Sequence, residues 1–569
     1  MRGILFLLSF VMATVCSAQN SVPTLSDLPV SPLSPKDIDG LLADDSPKAW
    51  KEYADKTLKT AISLAEKDEQ FAGWIYVHKA AELFAKEGAA LPVEVKKAML
   101  SDIPALCDFF ESVKKEDNIE SACKILERMH SIYPDKFKKY IRSAYAVALV
   151  YDVPPPGSWP MCNTISDPTA ISLPEEAFNI FLEKPEAAFF PLDKLTVGEL
   201  VWVFGVGGPI DELRELRKSD ITPSAIERLA QSIKTDKSRL EKGGKTKPWD
   251  ESERPFNPQN ILKYGGSDFE KIYCAWRIAN ANAIPCLFFT ENGAGGTYAW
   301  LSYMAHPGNW KSDVARPREA KLLFGRPLDP QTWKTSRQFD IDMLAKRRIT
   351  TQAGINSAVF LRLSEMYYEN GKYAKAIAYA EKSFTENPEN WEAYIAHISA
   401  HARYGTPQAQ LDIFWKKAIE SFRSHPDMCI QMLNYFRENL IALRRGKEAD
   451  KLLSTEMRAV MRTDPGLGID IYSNQIADMF ARAENKAEVL VQYQDIVRNS
   501  SSCLDECFKK IVTPLARLYY RNEDYVSAQK TISIFASIAR RDDSFKNKIE
   551  SLKESVAAPK KIKREKTAL

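Results

Sequence analysis

From about residue 355 onward, apolar residues recur at helical spacing in paired segments separated by short turns. This feature constrains the fold more than any other in the chain. The clearest pair begins near Phe360, where Leu363, Ser364, Tyr367, Gly371, Tyr373, Ala376, Ala380 and Pro388 fall at fixed offsets. Small residues there let two helices approach, the aromatics fill the hairpin, and the proline stops the second helix. Looser units end near Pro426, Pro465, Asn499 and Asp542. A helical hairpin of this kind buries its apolar face only against neighbours, so residues 350–545 read as a stack of about five hairpins.

The spacing after Phe360 resembles a tetratricopeptide repeat, and the resemblance implies a solenoid whose concave face binds a protein or peptide segment. Ahead of it the chain reads in several further parts. From Ser46 to about Val150 helical spacing returns in Ala54, Leu58, Ala61 and Leu64, and again in Ile141, Tyr145 and Ala148, with breaks at Lys67-Asp68, Gly88 and Pro134. The expectation is a helical domain over 46–152 with four or five antiparallel helices, then linker and helices over 153–240 beginning at Pro154–Gly157 and including Pro160 and Pro168. The turn from Gly205 to Pro209 lacks the Gly-Lys-Ser/Thr ending of a phosphate loop and the Rossmann glycine pattern, and reads as structural punctuation.

At the amino end, Arg2, an apolar run from Ile4 to Val15, and Cys16-Ser17-Ala18 before Gln19 fit a cleaved signal peptide over 1–18. A secreted or periplasmic protein is therefore expected, with a mobile leader over 19–45. Val15 stands where a lipoprotein signal normally has a small residue, which argues against acylation of Cys16. No later run reaches the ~18 apolar residues of a membrane helix. With 78 basic and 75 acidic side chains, nothing in the charge balance points to nucleic acid. Residues 546–569 read as a tail, basic from Lys560 to Lys566. Eight cysteines remain beyond Cys16. Cys107 and Cys123, on consecutive helices, either pair or stay free, and Cys503 and Cys507 are one helical turn apart, a poor disulfide spacing.

Residues 241–345 depart from pure helix. Tyr264-Gly265-Gly266 leads into a helix through Phe269, Ile272, Tyr273, Trp276 and Ala279, and Ala283–Phe289 reads as a buried strand. A glycine-rich turn, Asn292–Gly296, precedes an alternating strand, Tyr298–Tyr303; then come His306, Trp310 and Asp313. This order resembles the transglutaminase-like superfamily, a papain-like α+β fold. The family places a nucleophilic cysteine on the helix after the glycines, a histidine in a "His-Ala-Trp" strand and an aspartate on the next strand. The match covers about fifty residues. Asn280 stands at the family's arginine, with Arg277 one turn earlier, and Asp329–Trp333 also resembles bacterial proteins that carry such a domain ahead of helical repeats.

Carried over by position, the nucleophile falls on Asp268, the base on Tyr298 and the orienting carboxylate on Asp313. Acyl transfer needs a thiolate beside an imidazole, and Asp268 and Tyr298 supply neither. Ser267 takes the nucleophile place if the register moves by one, still without a base; Ser267 and Trp300 are the cleft residues expected to meet a ligand. Cys274 lies about 240° further round the helix, Cys286 is in a strand behind the site, and His306 is about 26 Å along the strand from Tyr298. Asp268 and Asp313 either face each other as an acid–base pair or serve as a helix cap and a relic partner for Tyr298. His397 and His401 have a zinc-ligand spacing but no intervening glutamate, and read as helix-face residues. Abundant tyrosines and tryptophans, including Trp74, Trp276, Trp300 and Trp391, either line a sugar or peptide groove or, as the first reading, fill hairpin cores.

The expected fold is mainly α with a central α+β segment. The expected function is that of an exported interaction protein, with a degenerate, inactive transglutaminase-like domain and a repeat solenoid that takes a protein, peptide or envelope polymer. No cofactor or metal is expected. The alternatives are a transglutaminase-like protease or acyltransferase, or a carboxylate-based hydrolase, and a structural envelope component.

Overall fold

The computed structural model describes residues 29–557, apart from 30, 68–69, 87–89, 155–172, 206–209, 218–220, 240–246, 248, 250–253, 294–295, 318–325, 348–349, 464, 484–485, 502 and 541. The expected signal segment with Arg2 and Cys16, the expected linker with Pro160 and Pro168, residues 206–209 of the glycine turn, part of the Asn292–Gly296 turn and the expected Lys560–Lys566 tail lie outside the described residues.

The amino-terminal helices are α1 (Pro35–Leu42), α2 (Pro47–Glu66), α3 (Ala72–Ala85), α4 (Val93–Ser101), α5 (Ile103–Ser112), α6 (Ile119–Ile132), α7 (Pro134–Lys139) and α8 (Ile141–Tyr151). Among the described residues, 46–152 thus hold seven helices rather than four or five. The extra breaks come from caps inside the apolar pattern: Asp102 accepts from the Ala105 amide to start α5, and Asn118 accepts from the Ser121 amide to start α6. The expected leader is corrected too. Ser34 and Asp37 form a capping box that starts α1 inside 19–45, and Ile38 and Leu42 are buried there.

The middle of the chain contributes α9 (Pro174–Glu183), α10 (Val197–Phe204), α11 (Ile210–Leu216), α12 (Pro223–Ser232), α13 (Pro258–Tyr264) and α14 (Asp268–Ala281). Strands β1 (Cys286–Gly293), β2 (Gly296–His306), β3 (Asn309–Val314) and β4 (Arg326–Pro327) follow. The sheet is antiparallel in the order β3-β2-β1-β4, with Phe288 opposite Leu301 and Phe289 opposite Trp300. Side chains alternate between its faces. Phe288 packs against Phe269, Tyr273 and Trp276 of α14, so Cys286, Phe288, Ala299, Leu301 and Tyr303 form the helix-covered face. Leu287, Phe289 and Trp300 form the other face, with Trp202, Tyr298, Trp310 and Ile341 around them.

After α15 (Gln338–Ala345) the chain is helical hairpins: α16 (Gln352–Glu369) with α17 (Tyr373–Glu386), α18 (Trp391–Tyr404) with α19 (Gln408–Ser421), and α20 (Pro426–Ala442) with α21 (Gly446–Thr463). Next, α22 (Pro465–Ser473) and α23 (Ile476–Arg482) pair with α24 (Lys486–Arg498). Then α25 (Leu504–Cys507), a π turn at Phe508–Val512 and α26 (Thr513–Arg521) pair with α27 (Tyr525–Ile538). In the first hairpin Ala376 and Ala380 are fully buried, Tyr367 stacks on Tyr379 at 5.3 Å, and the Ser364 hydroxyl donates to the Ala376 carbonyl at 2.7 Å. A last helix, α28 (Lys546–Ser555), lies within the expected tail and buries Ile549 and Leu552. That amphipathic turn ahead of the basic run corrects the reading of 546–569 as tail alone. No helix among the described residues is long and apolar enough to cross a membrane.

Two apolar cores organise these elements. The first runs from Ile38 through the amino-terminal helices, α14 and the sheet to Ile355, Val359, Leu363 and Met366 of α16, and the second fills the later hairpins. The first repeat helix therefore belongs to the amino-terminal core. A buried charge network fastens the same junction. Arg347 forms an ion pair with Glu199 at 2.9 Å and donates to the Lys194 carbonyl at 3.0 Å, while Asp108 accepts from the Val197 amide at 2.8 Å and meets Arg142 at 3.3 Å.

Glycine matters at two close approaches. At Gly205 a Cβ would lie 2.1 Å from the Pro330 Cβ, which accounts for the glycine that opens this turn. Gly265 has φ +94, and a Cβ there would lie 2.4 Å from the Lys234 carbonyl oxygen, to which the Gly266 amide donates at 3.0 Å. Gly265→Ala is therefore expected to cost on the order of 2–4 kcal/mol, backbone strain and overpacking together. Gly371→Ala, also at positive φ but facing open space, should cost only about 1 kcal/mol. Urea unfolding of the two variants checks this ordering.

Candidate functional site

Helix α14 starts where Ser267 caps it: the Ser267 hydroxyl accepts from the Glu270 amide, and the Glu270 carboxylate accepts from the Ser267 amide at 2.8 Å. Glu270 has no exposed surface and also receives both Arg239 Nη atoms, at 2.9 and 2.8 Å, and Trp249 Nε1 at 2.8 Å. Burial is the largest influence and raises its pKa, but the Arg239 hydrogen bonds and charge, the Ser267 amide and Trp249 together hold it below the usual carboxylate value. Its acceptor sites are taken up in fixing the helix start. Asp268 is the first helical residue, not the cap. Its side chain is 80% exposed and pairs with Lys271 at 2.8 Å.

Tyr298 lies on the sheet face away from α14, beside Phe289 and Trp300, which stack at 5.6 Å. Asp313, at φ +56, pairs with Arg316 at 2.8 Å, and that guanidinium lies 4.6 Å from the centre of the Trp300 ring. The fold thus gathers Tyr298, Trp300 and, through Arg316, Asp313 on one face, while Ser267 and Asp268 open the helix that covers the other. Asp313 takes Arg316 as partner instead of Tyr298. The two carboxylates do not face each other, and each has a neighbouring cation.

The other chemistry-bearing residues have defined surroundings. Cys274 donates to the Pro258 carbonyl at 3.6 Å, away from the sheet, and burial pushes the Cys274 and Cys286 thiols well up. His306 ends β2 opposite Asn309 and is exposed. Arg277 is buried against Glu212 at 2.6 Å, and Asn280 donates to the Trp202 carbonyl at 2.9 Å. Cys107 and Cys507 are free thiols, so neither the Cys107–Cys123 nor the Cys503–Cys507 pairing forms. His397 and His401 sit with ring centres 4.5 Å apart against Phe414, and His401 meets Thr406 Oγ1 at 2.9 Å. Burial, then the neighbouring His401, brings the His397 pKa down to about 4. Among the described residues no group of three His, Cys, Asp or Glu side chains could hold a metal.

A second candidate site lies where the amino-terminal helices meet the repeats, and sequence reading missed it. Arg362 of α16 reaches Glu111 at the end of α5 at 3.2 Å and Glu365 at 3.0 Å, and the Tyr76 hydroxyl donates to Glu111 at 3.3 Å. Lys79 of α3 lies 5.6 Å from the Phe110 ring centre. Further along, Trp391 of α18 stacks on Tyr435 of α20 at 6.1 Å under the Arg337 guanidinium. Glu392 reaches solvent, yet the protein packed around it raises its pKa, Arg362 opposes the rise, and Glu111 and Glu365 add to it. Burial holds Glu111 up less strongly than Arg362 and Lys79 pull it down. The first helices of three successive hairpins thus present charged and aromatic side chains along one partly exposed strip. The signal was Arg362 and Glu365 one turn apart, and Trp391-Glu392 at a helix start, in sequence that otherwise follows the repeat pattern.

No family model matches this chain, and no curated protein matches it. Among solved structures it is similar to "Crystal Structure of the Yeast Tom70", at 13% identity over 92% of this chain and 91% of that chain, with a TM-score of 0.24. A likeness at that score carries no argument about fold or function.

Placing a cysteine and a histidine at the two family positions should not create a reactive pair, because the strand carries position 298 to the far face. In Asp268→Cys the helix start and the neighbouring Lys271 lower the thiol pKa without help from position 298. Adding Tyr298→His is expected to leave that midpoint unchanged, measured by thiolate absorbance against pH; a further drop would show that the two positions meet.

Proposed function

We propose that this chain is an exported interaction protein. Its repeat hairpins hold a segment of a protein partner, and its central segment is a transglutaminase-like domain without the chemistry of that family. The observation that carries the binding reading is the strip formed by Arg362, Glu365, Trp391, Glu392 and Tyr435 on the first helices of three hairpins, where aromatic rings and charges remain within reach of solvent. Such a strip offers ring surface for contact and carboxylates and guanidinium groups for orienting a bound segment. The order of α14, β1, β2 and β3, with glycines ahead of the helix, supports the family resemblance, and Asp268 and Tyr298 in place of cysteine and histidine support the loss of acyl transfer. The apolar run from Ile4 to Val15 before Cys16-Ser17-Ala18 supports export.

The test compares the full chain with a Trp391→Ala/Glu392→Lys variant in quantitative cross-linking to envelope proteins. The variant is expected to lose at least about tenfold in capture of the main partner while its melting temperature changes little. Equal capture by both would defeat the reading. In parallel, turnover of amide, peptide or glycan substrates that disappears in Asp268→Ala would replace it with the enzyme alternative.

A further inference from the structure

A buried cation is costly unless a carboxylate meets it. Five lysine and arginine side chains are buried among the described residues: Lys96, Arg239, Arg277, Arg347 and Arg437. Lys96 meets Asp45 at 2.7 Å, Arg239 meets Glu270 at 2.8 Å, Arg277 meets Glu212 at 2.6 Å and Arg347 meets Glu199 at 2.9 Å. Arg437, on α20, is the one left without such a partner among the described residues. It is 6% exposed, and its Nε and Nη2 atoms are buried with no hydrogen-bond partner.

The surrounding groups are engaged elsewhere. The charged and titratable side chains that act on Arg437 are Asp450 of α21, Asp478 and Arg482 of α23 and Tyr493 of α24. Asp450 is held by Arg482 at 2.9 Å, in a pair that reaches solvent, and Asp478 is exposed in the first turn of α23. Tyr493 is fully buried and turns its hydroxyl to the Tyr472 carbonyl at 3.3 Å. Burial first, then Arg482, lowers the Arg437 pKa from its usual value, so the charge is held against a cost.

An unused acceptor accompanies these donors. Gln475, 8% exposed, donates from Nε2 to Asn434 Oδ1 at 3.2 Å, and its Oε1 is buried with no partner. Asn434 and Arg437 are neighbours on one face of α20, a helical turn apart. Tyr435, which stacks on Trp391, lies about 200° round the helix from Arg437, so this place is separate from the aromatic strip.

We propose that Arg437 anchors an oxyanion site between the third hairpin and α23, filled by a single phosphate or carboxylate group. Nε and Nη2 form the edge of the guanidinium that donates two parallel hydrogen bonds to two oxygens of one such group. The Gln475 Oε1 atom then takes a hydroxyl of the ligand. Phosphate carries one near neutral pH and a carboxylate does not, which favours phosphate.

The test uses the full chain and Arg437→Met, which keeps an apolar stem and removes the charge. Each is titrated calorimetrically with sodium phosphate and, separately, with sodium acetate, chloride holding the ionic strength constant. Wild type is expected to take up one phosphate per chain saturably, and Arg437→Met to bind it at least about tenfold more weakly. Saturating phosphate should also slow hydrogen exchange at least about threefold in wild-type peptides covering 433–441 and 475–482, with peptides from α5 and α16 unchanged. Uptake of acetate in place of phosphate would keep the site and assign it to a carboxylate. If Arg437→Met does not fold, the wild-type stoichiometry and exchange pattern decide alone. No saturable uptake of either anion, equal uptake by the variant, or protection confined to other parts of the chain would overturn the proposal.

Discussion

The pairing of Arg347 with Glu199 is the constraint on which the arrangement of the chain depends. Glu199 has no exposed surface and Arg347 is 4% exposed. A buried ion pair adds little net stability over apolar residues, but losing one partner leaves an uncompensated charge, at about 3–5 kcal/mol. It therefore sets position more than it adds strength. Glu199 is fixed in the capping box that starts α10, where Thr196 and its amide bind it, and Arg347 stands just before the first repeat. The repeats can enter the fold only where that guanidinium meets that carboxylate, which places α16 against the amino-terminal core.

Much of this was legible in sequence. The small residues Ala376 and Ala380, the aromatics Tyr367 and Tyr373 and the turn at Gly371 specify a hairpin by local sterics, and local sterics can be read one residue at a time. The starts of α7 at Pro134 and of α14 after Gly265-Gly266 are of the same kind. Helix α1 was hidden because its cap, Ser34 with Asp37, sits in a stretch whose prolines and serines read as leader. The junction strip was hidden for a different reason. Glu111 and Arg362 lie 251 positions apart, and nothing in the spacing of either announces the other.

At the central segment the readable part was the order of elements and the unreadable part was parity. Sequence placed Asp268, Tyr298 and Asp313 on a helix and two strands in the order found. Which way a strand faces depends on the partner that covers it, here the ring contacts of Phe288 with Phe269, Tyr273 and Trp276. Those contacts assign Ala299 and Leu301 to the helix and leave Tyr298 and Trp300 to the opposite side. Glu270, the other carboxyl near the helix start, is held by Arg239 and Trp249 and has a structural explanation.

The assignment of Phe288 to the helix limits what substitution can do. Two point mutations at Asp268 and Tyr298 would not bring their side chains together. The sheet would have to shift by an odd number of residues against its neighbours, turning the stacked rings of Phe289 and Trp300 inward and Phe288 outward. Such a slip exchanges two packed layers at once and has no stable halfway point. The facing of the strand is therefore set by the packed layers as a whole, and single substitutions on either face leave it unchanged.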